Sequence, residues 1–268
     1  MVFGSRSGLF YDLLIAMGAK NEEMILVDLF HACDDNLEHY SLPAVPYLDR
    51  RIVIDSTTKE CLQALYGKHA FRDKIERLTL IENGVEIPES MPTKSNEIPL
   101  SLYVGRDAPV KRLHLIRRVA ERLHDFPFLL AGVEARENES VNLQSLGPID
   151  DPSPLYAQAD ILLLSSSREG FPLVIMEAMA YGVIPICTEV GGIARHIVDG
   201  VNGFLITELD EDQIVEAFVR RIERLRAEDA LRRQMAEAAY RYAREHFDIR
   251  RFRHRYRELF SEMLGANL

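Results

Sequence analysis

Ser165-Ser166-Ser167-Arg168-Glu169-Gly170-Phe171-Pro172-Leu173-Val174-Ile175-Met176-Glu177-Ala178-Met179-Ala180-Tyr181-Gly182-Val183-Ile184-Pro185-Ile186-Cys187-Thr188-Glu189-Val190-Gly191-Gly192 decides how this chain folds. It begins where an apolar run, Ile161–Leu164, stops, and such a run after Asp160 reads as a strand covered on both faces. A polar loop with Gly170 follows, and Pro172 suits the first turn of a helix, where its missing N–H is not needed. Leu173–Tyr181 carries the helix, Gly182 sits at the C′ position, and Val183–Cys187 is the next strand. This strand–loop–helix–strand unit aims the amides near Gly170 and Phe171 above the sheet edge, which favours an anionic or hydroxyl-rich ligand. Glu169 and Glu177 bracket the helix start.

Outward from this stretch the second half of the chain alternates regularly. Strands are expected at Leu100–Val104, Phe128–Ala131, Val141–Leu146, Ile161–Leu164, Val183–Cys187 and Gly203–Ile206. Helices fit Val110–Leu123, Pro154–Gln158, Leu173–Tyr181 and Ile193–Val198, and from Asp212 the pattern is helical, with breaks near Asp229 and at Phe247–Asp248. Strands alternating with helices imply βαβ units and a mostly parallel, doubly wound sheet. Upstream, Gly8–Met17 reads as a helix closed by Gly18, and Thr58–Tyr66 as another. Met24–Phe30, Arg51–Ile54 and Leu78–Ile81 read as strands. This half is α/β but incomplete, since it opens on a helix rather than on a strand with a glycine-rich turn. Asn83–Asn96, with Pro88, Pro92 and no apolar period, marks the boundary.

Composition limits the function classes. With 268 residues, 47% hydrophobic and 28% charged, the chain can bury a substantial core. A net charge of −10 argues against a general nucleic-acid binder. Cys33, Cys61 and Cys187 lack metal-ligand spacing and read as reduced thiols of a cytoplasmic protein. No apolar run approaches the roughly 18 residues of a membrane span, and no signal-peptide core is apparent.

Ligands of open α/β sheets bind outside the carboxyl ends of the strands. That rule gathers Gly105-Arg106 with Lys111, then Gly132, Gly147-Pro148, the Glu169–Leu173 loop, and Thr188–Gly192 on one rim. An Arg fork and a Lys point charge suit a diphosphate, and Glu177 suits ribose hydroxyls. The plain alternatives are surface charges for Arg106 and Lys111 and solvated helix-end carboxylates for Glu169 and Glu177.

Gly105-Arg106 with Lys111, the Ala159-Asp160 strand start, the Glu169/Glu177 pair and Asp199-Gly200-x-x-Gly203 together resemble the C-terminal half of retaining glycosyltransferases of the glycogen-synthase-like group 1 family. The resemblance is strong from Leu100 to about Ile206, and Asn83-Gly84-Val85 looks like the family's interdomain linker. It implies the GT-B fold, with 1–92 as a partial acceptor-side domain and linker, 93–248 as the donor-binding domain and 249–268 as a helix returning to the first domain. It implies a nucleotide-diphosphate-sugar donor, a glycan or lipid-linked acceptor, and no metal or other cofactor. Arg106 and Lys111 would hold the diphosphate and, with Glu169, form the catalytic set. Gly105, Gly147, Pro148, Glu169, Gly170, Phe171, Pro172 and Leu173 would line the donor site, and Glu177 would bind the ribose. His31 is a candidate cleft histidine.

Four departures from the pattern stand out. Arg112 occupies a position that is usually glycine; Ile193-Ala194-Arg195-His196 lacks the usual acidic residue; the stretch from Gly132 to Gly147 is short; and the front of a GT-B N-terminal domain has no counterpart here. The last raises the expectation that an upstream segment or another chain completes the acceptor side. A nucleotide-sugar-binding module and a GT-B sugar-nucleotide epimerase stay open as alternatives. A glycosidase is disfavoured: its carboxylates lie about 5–9.5 Å apart, whereas eight helical residues span about 12 Å. Asp210-Glu211-Asp212 reads as helix capping, Asp34-Asp35 as a turn, and the Phe252/Tyr256/Phe260 spacing as a packing stripe. The arginines from Arg250 to Arg257 pair with acidic surface or touch a membrane carrying the acceptor.

Overall fold

The structure, a computed structural model, describes residues 1–5, 7–18, 23–33 and 36–265. Asp34 and Asp35 lie outside the described residues. The chain divides into two compact units, Met1–Asn83 with Arg250–Leu268, and Gly84–Ile249.

In the first unit the order is β1 (Val2–Ser5), α1 (Gly8–Met17), β2 (Leu26–Phe30), α2 (Leu37–Tyr40), β3 (Arg50–Val53), α3 (Ser56–Lys68) and β4 (Leu78–Leu80). The strands pair in parallel in the order β1-β2-β3-β4. The unit therefore opens on a strand, not on the helix that the sequence suggests. β1 is a four-residue edge strand with three exposed residues, so it carries no burial alternation that a pattern could reveal.

Alternate residues of β2 and β3 go to opposite faces. Leu26, Phe30 and Val53 join clusters with residues of α1 and α3, while Val27 and Ile52 pack with Ile81, Leu259, Phe252, Tyr256 and Phe260. The aromatic stripe of the last helix is thus a packing face. Within the first face lies a buried ion pair: Arg51 Nε donates to Asp28 Oδ2 at 2.7 Å, Arg51 Nη1 to Tyr66 Oη at 3.1 Å, and the Tyr11 hydroxyl to Asp28.

The second unit runs β5 (Ser101–Val104), α4 (Leu113–Arg122), β6 (Phe128–Ala131), β7 (Leu143–Ser145), α5 (Ser153–Gln158), β8 (Ile161–Leu164), α6 (Leu173–Ala180), β9 (Ile184–Thr188), β10 (Phe204–Ile206), α7 (Glu211–Ala227) and α8 (Asp229–His246). A last helix, α9 (Ile249–Leu264), begins at its end and continues in the first unit. The six strands are parallel in the order β10-β9-β8-β5-β6-β7. Ile161 and Leu163 of β8 enter the core shared with α4 and α7, and Leu162 and Leu164 enter the core shared with α6 and α8. The sheet is therefore doubly wound. β7 follows β6 without an intervening helix, in line with the short Gly132–Gly147 stretch.

Local chemistry moves several boundaries. Pro109–Lys111 forms a 3-10 turn and Arg112 is left-handed (φ 46°, ψ 44°), so the helix expected from Val110 starts only at Leu113. Pro172, expected inside the first turn, is extended (ψ 137°) and serves as the N-cap of α6. The helix expected over Ile193–Val198 shrinks to a 3-10 turn, Ile193–Arg195. There Asn202 Oδ1 accepts from the Val198 amide and Asn202 Nδ2 donates to the His196 carbonyl, taking groups that a further helical turn would use. Asp210 caps α7 by accepting from the amides of Asp212 and Gln213, as the capping reading expects. Residues 84–92 pack on this unit: Val85 bridges Asp248, and the Tyr240 hydroxyl donates to the Pro88 carbonyl.

Candidate donor-binding rim

Strand order reverses between β5 and β8: the chain leaves β5 toward β6 and β7, then returns on the other side of β5 with β8 and β9. Loops leaving two such strands diverge and open a crevice at their carboxyl ends, where ligands of doubly wound sheets sit. The loop after β5 holds Gly105, Arg106 and Lys111, and the loop after β8 holds Glu169 to Pro172.

Here the two loops meet. Lys111 Nζ donates to Glu169 Oε1 at 2.5 Å, and the same oxygen accepts from Ser166 Oγ at 2.6 Å. Both side chains of the ion pair are largely covered. Lys111 and Glu169, 58 residues apart, thus share one point of the crevice. Arg106 is exposed, and its guanidinium has no partner among the described residues. Its carbonyl is fixed by the buried Tyr103 hydroxyl at 2.9 Å, whose ionisation burial pushes upward.

The Glu169 loop is held from below by the turn after β9. Gly191 is left-handed (φ +57°), and a Cβ there would lie 1.8 Å from the Glu169 carbonyl oxygen. The Gly192 amide donates to the Gly170 carbonyl at 2.7 Å, and Thr188 Oγ1 donates to the Ser166 carbonyl at 2.5 Å. Phe171 is buried and stacks on His196 at 4.1 Å, with Phe247 at 5.4 Å. The role of His196 had no signal in the sequence, because stacking follows from the fold and not from spacing. With the side chain of Phe171 anchored, the amides of Gly170 and Phe171 find no acceptor among the described residues. They lie just ahead of α6, where the helix dipole favours an anion.

Glu177 sits one helical stretch further on and is half-buried. Its Oε2 accepts from the Tyr156 hydroxyl at 2.8 Å, and its Oε1 has no partner among the described residues. Burial, and then the Glu177 charge, hold the Tyr156 phenol protonated, so this contact is a fixed donor that orients the carboxylate. Leu173 is exposed at the helix start. Gly147 and Pro148 follow β7, and Gly147 pairs with Val133 and accepts from the Gly132 amide. His31 lies in the first unit at the end of β2, with Nε2 3.2 Å from Ser5 Oγ. A half-open hollow of about 420 Å³, lined by Val198, Asn202, Met235 and Tyr242 among others, lies away from these loops. Among the described residues no three His, Cys, Asp or Glu side chains gather as a metal site, and no helix is long and apolar enough to cross a membrane.

Residues 89–242 match the family model for glycosyl transferases group 1. The chain is 30% identical over 212 residues to an exopolysaccharide phosphotransferase of Streptomyces coelicolor, covering 73% of this chain and 21% of that protein. It is 31% identical over 140 residues to glycogen synthase of Chlamydia pneumoniae, covering 46% of this chain and 29% of that enzyme. The chain thus spans less than a third of the length of these curated relatives. A crystal structure of Anabaena Alr3699/HepE in complex with UDP-glucose superposes with a TM-score of 0.74 at 18% identity, over 97% of this chain and 78% of that one. This likeness places the two parallel sheets and the helical C-terminus in the GT-B fold class. With more than half of its residues inside the family model, the chain belongs to the glycosyl transferases group 1 family.

Proposed function

We propose that this chain carries the donor-binding side of a retaining, metal-independent glycosyltransferase that moves a sugar from a nucleotide diphosphate to a glycan or lipid-linked acceptor. The observation that carries the reading is the meeting of Lys111 and Glu169 at the β5/β8 switch point, in loops that also carry Arg106 and the amides ahead of α6, which have no partner among the described residues. Arg106 and Lys111 face the diphosphate, the fork fixing its orientation and the ammonium adding charge. As the bond from the sugar to the phosphate lengthens, negative charge builds on the leaving diphosphate. In this reading the two cations and the start of α6 meet that charge, so that no metal is required to balance it. Glu169 accepts from donor-sugar hydroxyls while keeping Lys111 in place. Glu177, oriented by Tyr156, accepts from the ribose through Oε1. Residues 1–83 and 250–268 contribute to the acceptor side. The protein works in the cytoplasm, and contact with a membrane-borne acceptor comes from its surface.

The test is nucleotide binding followed by transfer. UDP, ADP and GDP are titrated while the melting temperature is followed, with Arg106→Ala and Glu177→Ala as controls. One of the three is expected to raise the melting temperature, and each substitution to remove most of that rise. No shift with any of them removes the donor-site reading. Transfer that survives a chelator, with the anomeric configuration of the product read by NMR, decides metal independence and retention.

A further inference from the structure

We propose that Arg112 is a positioning residue that locks the Lys111 turn to the Glu169 loop, so that cation and carboxylate hold one geometry before any ligand arrives. The proposal rests on the donor-site reading above.

Three described residues other than glycine have a positive φ: Asn36, Asn138 and Arg112. Asparagine tolerates the left-handed region, but a long side chain such as arginine does so only when its surroundings compel it. Those surroundings are visible. Arg112 Nε donates to the Ser165 carbonyl at 2.7 Å and Nη2 to the Ser166 carbonyl at 3.1 Å. In return, Ser165 Oγ contacts the carbonyls of Lys111 (2.8 Å) and Arg112 (3.0 Å). The Ser167 amide donates to the Val110 carbonyl at 2.8 Å.

Every one of these bonds crosses from the turn after β5 to the loop after β8. Ser165 and Ser166 are fully buried, so their carbonyls need donors; the guanidinium fork reaches both with two parallel N–H groups, and Thr188 Oγ1 is a second donor to Ser166. Glycine at this position would relieve the backbone but supply no fork. The arginine makes no ion pair among the described residues, so its bonds go to main chain rather than to a carboxylate. A strained backbone and a side chain spent on two loop carbonyls indicate a clamp between the loops that carry Lys111 and Glu169.

The experiment compares the full chain with Arg112→Gly, Arg112→Lys and Lys111→Ala, reading UDP affinity by calorimetry and hydrogen exchange over residues 165–171. Arg112→Gly is expected to fold, to bind UDP about tenfold more weakly and to exchange faster over the loop, because misplacement of binding groups costs affinity. Guanidinium ion at sub-denaturing concentration is expected to restore both in Arg112→Gly and to leave Lys111→Ala unchanged. Arg112→Lys keeps the charge but not the fork, and is expected to behave as Arg112→Gly does. Wild-type affinity and exchange in Arg112→Gly would overturn the proposal, as would wild-type behaviour of Arg112→Lys or absence of guanidinium rescue. If the wild type binds none of UDP, ADP and GDP, it is the donor reading that fails. Loop exchange then decides the clamp alone, and an unchanged rate in Arg112→Gly removes it.

Discussion

Gly191→Ala separates backbone strain from displacement of the Glu169 loop. Gly191 and Gly200 are both left-handed, at φ +57° and +75°, in the segment between β9 and β10. A Cβ at Gly200 meets nothing within 4 Å, whereas at Gly191 it would lie 1.8 Å from the Glu169 carbonyl oxygen and 2.8 Å from that of Gly170. Both alanines bear the left-handed penalty of roughly 1–2 kcal/mol. Only the first must also push the loop away by more than 1 Å, since ordinary contact begins near 3.4 Å. Overpacking of that kind costs a further ~1–3 kcal/mol. The moved atoms belong to the residues that hold Lys111 and present the open amides, so a shift of this size reduces donor binding or turnover by about a hundredfold. Urea unfolding gives the stability of both variants, and UDP calorimetry gives their affinity. Gly200→Ala is expected to lose about 1–2 kcal/mol and keep its affinity, while Gly191→Ala loses more stability and most of its affinity. Equal losses in the two variants, with UDP affinity intact in both, would refute the loop geometry described here.

Two further outcomes test the supporting structure. Lys94, largely buried with its ammonium donating to the Gly182 carbonyl at 3.0 Å, has its pKa lowered by burial from 10.5 to about 8. The unfolded chain therefore binds a proton between pH 8 and 10.5 that the folded chain does not, and wild-type stability from this group rises across that window and is lost as pH falls through 8. Lys94→Met is expected to be more stable than wild type by about 1–2 kcal/mol at pH 7, after the lost bond to Gly182 is set against relieved desolvation. That advantage should fade by pH 10.5 in thermal melts, and a difference independent of pH would contradict it. Asp210→Ala removes a cap that accepts from two amides at the start of α7, and is expected to lower stability by ~1 kcal/mol in denaturant unfolding without changing UDP affinity.

Legibility in the sequence followed periodicity and chemistry. Ile161–Leu164, Gly182 and the alternation from Leu100 to Ile206 place the second sheet and its rim, because strands covered on both faces are continuous apolar runs. The loops around Arg106, Lys111, Glu169 and Glu177 were identifiable because they must follow strand ends. What the residues did not reveal depends on contacts between distant segments. The Lys111–Glu169 ion pair, the Phe171–His196 stack and the Tyr156 hydroxyl on Glu177 join segments 58, 25 and 21 residues apart. Arg112 was visible only as an oddity of composition at one position, and its left-handed backbone explains why glycine is the expected residue there. β1 was hidden because an exposed edge strand has no alternation to show. The end of the helix predicted over Ile193–Val198 was hidden because Asn202 satisfies its backbone from outside the segment.

The Lys111–Glu169 pair also sets the sign of one further effect. Charge at the crevice is the sum of Arg106, Lys111, Glu169 and roughly half a unit from the α6 N-terminus. On the proposed donor reading, Glu169 cancels much of what the cations would offer to a free nucleoside diphosphate, and its carboxylate serves only when sugar hydroxyls are there to meet it. Glu169→Gln keeps the size and the hydrogen bond from Ser166 while removing that charge. UDP affinity is then expected to rise about fivefold, on the order of 1 kcal/mol for a partly screened charge, while affinity for the sugar-bearing donor falls relative to UDP. A structural carboxylate whose task is only to hold Lys111 would give the opposite sign, since a freed lysine loses its orientation and UDP binds more weakly. Calorimetry with UDP and with the UDP-sugar that the wild type prefers distinguishes the two. Weaker UDP binding in Glu169→Gln would show that the pair is scaffolding rather than part of the sugar site.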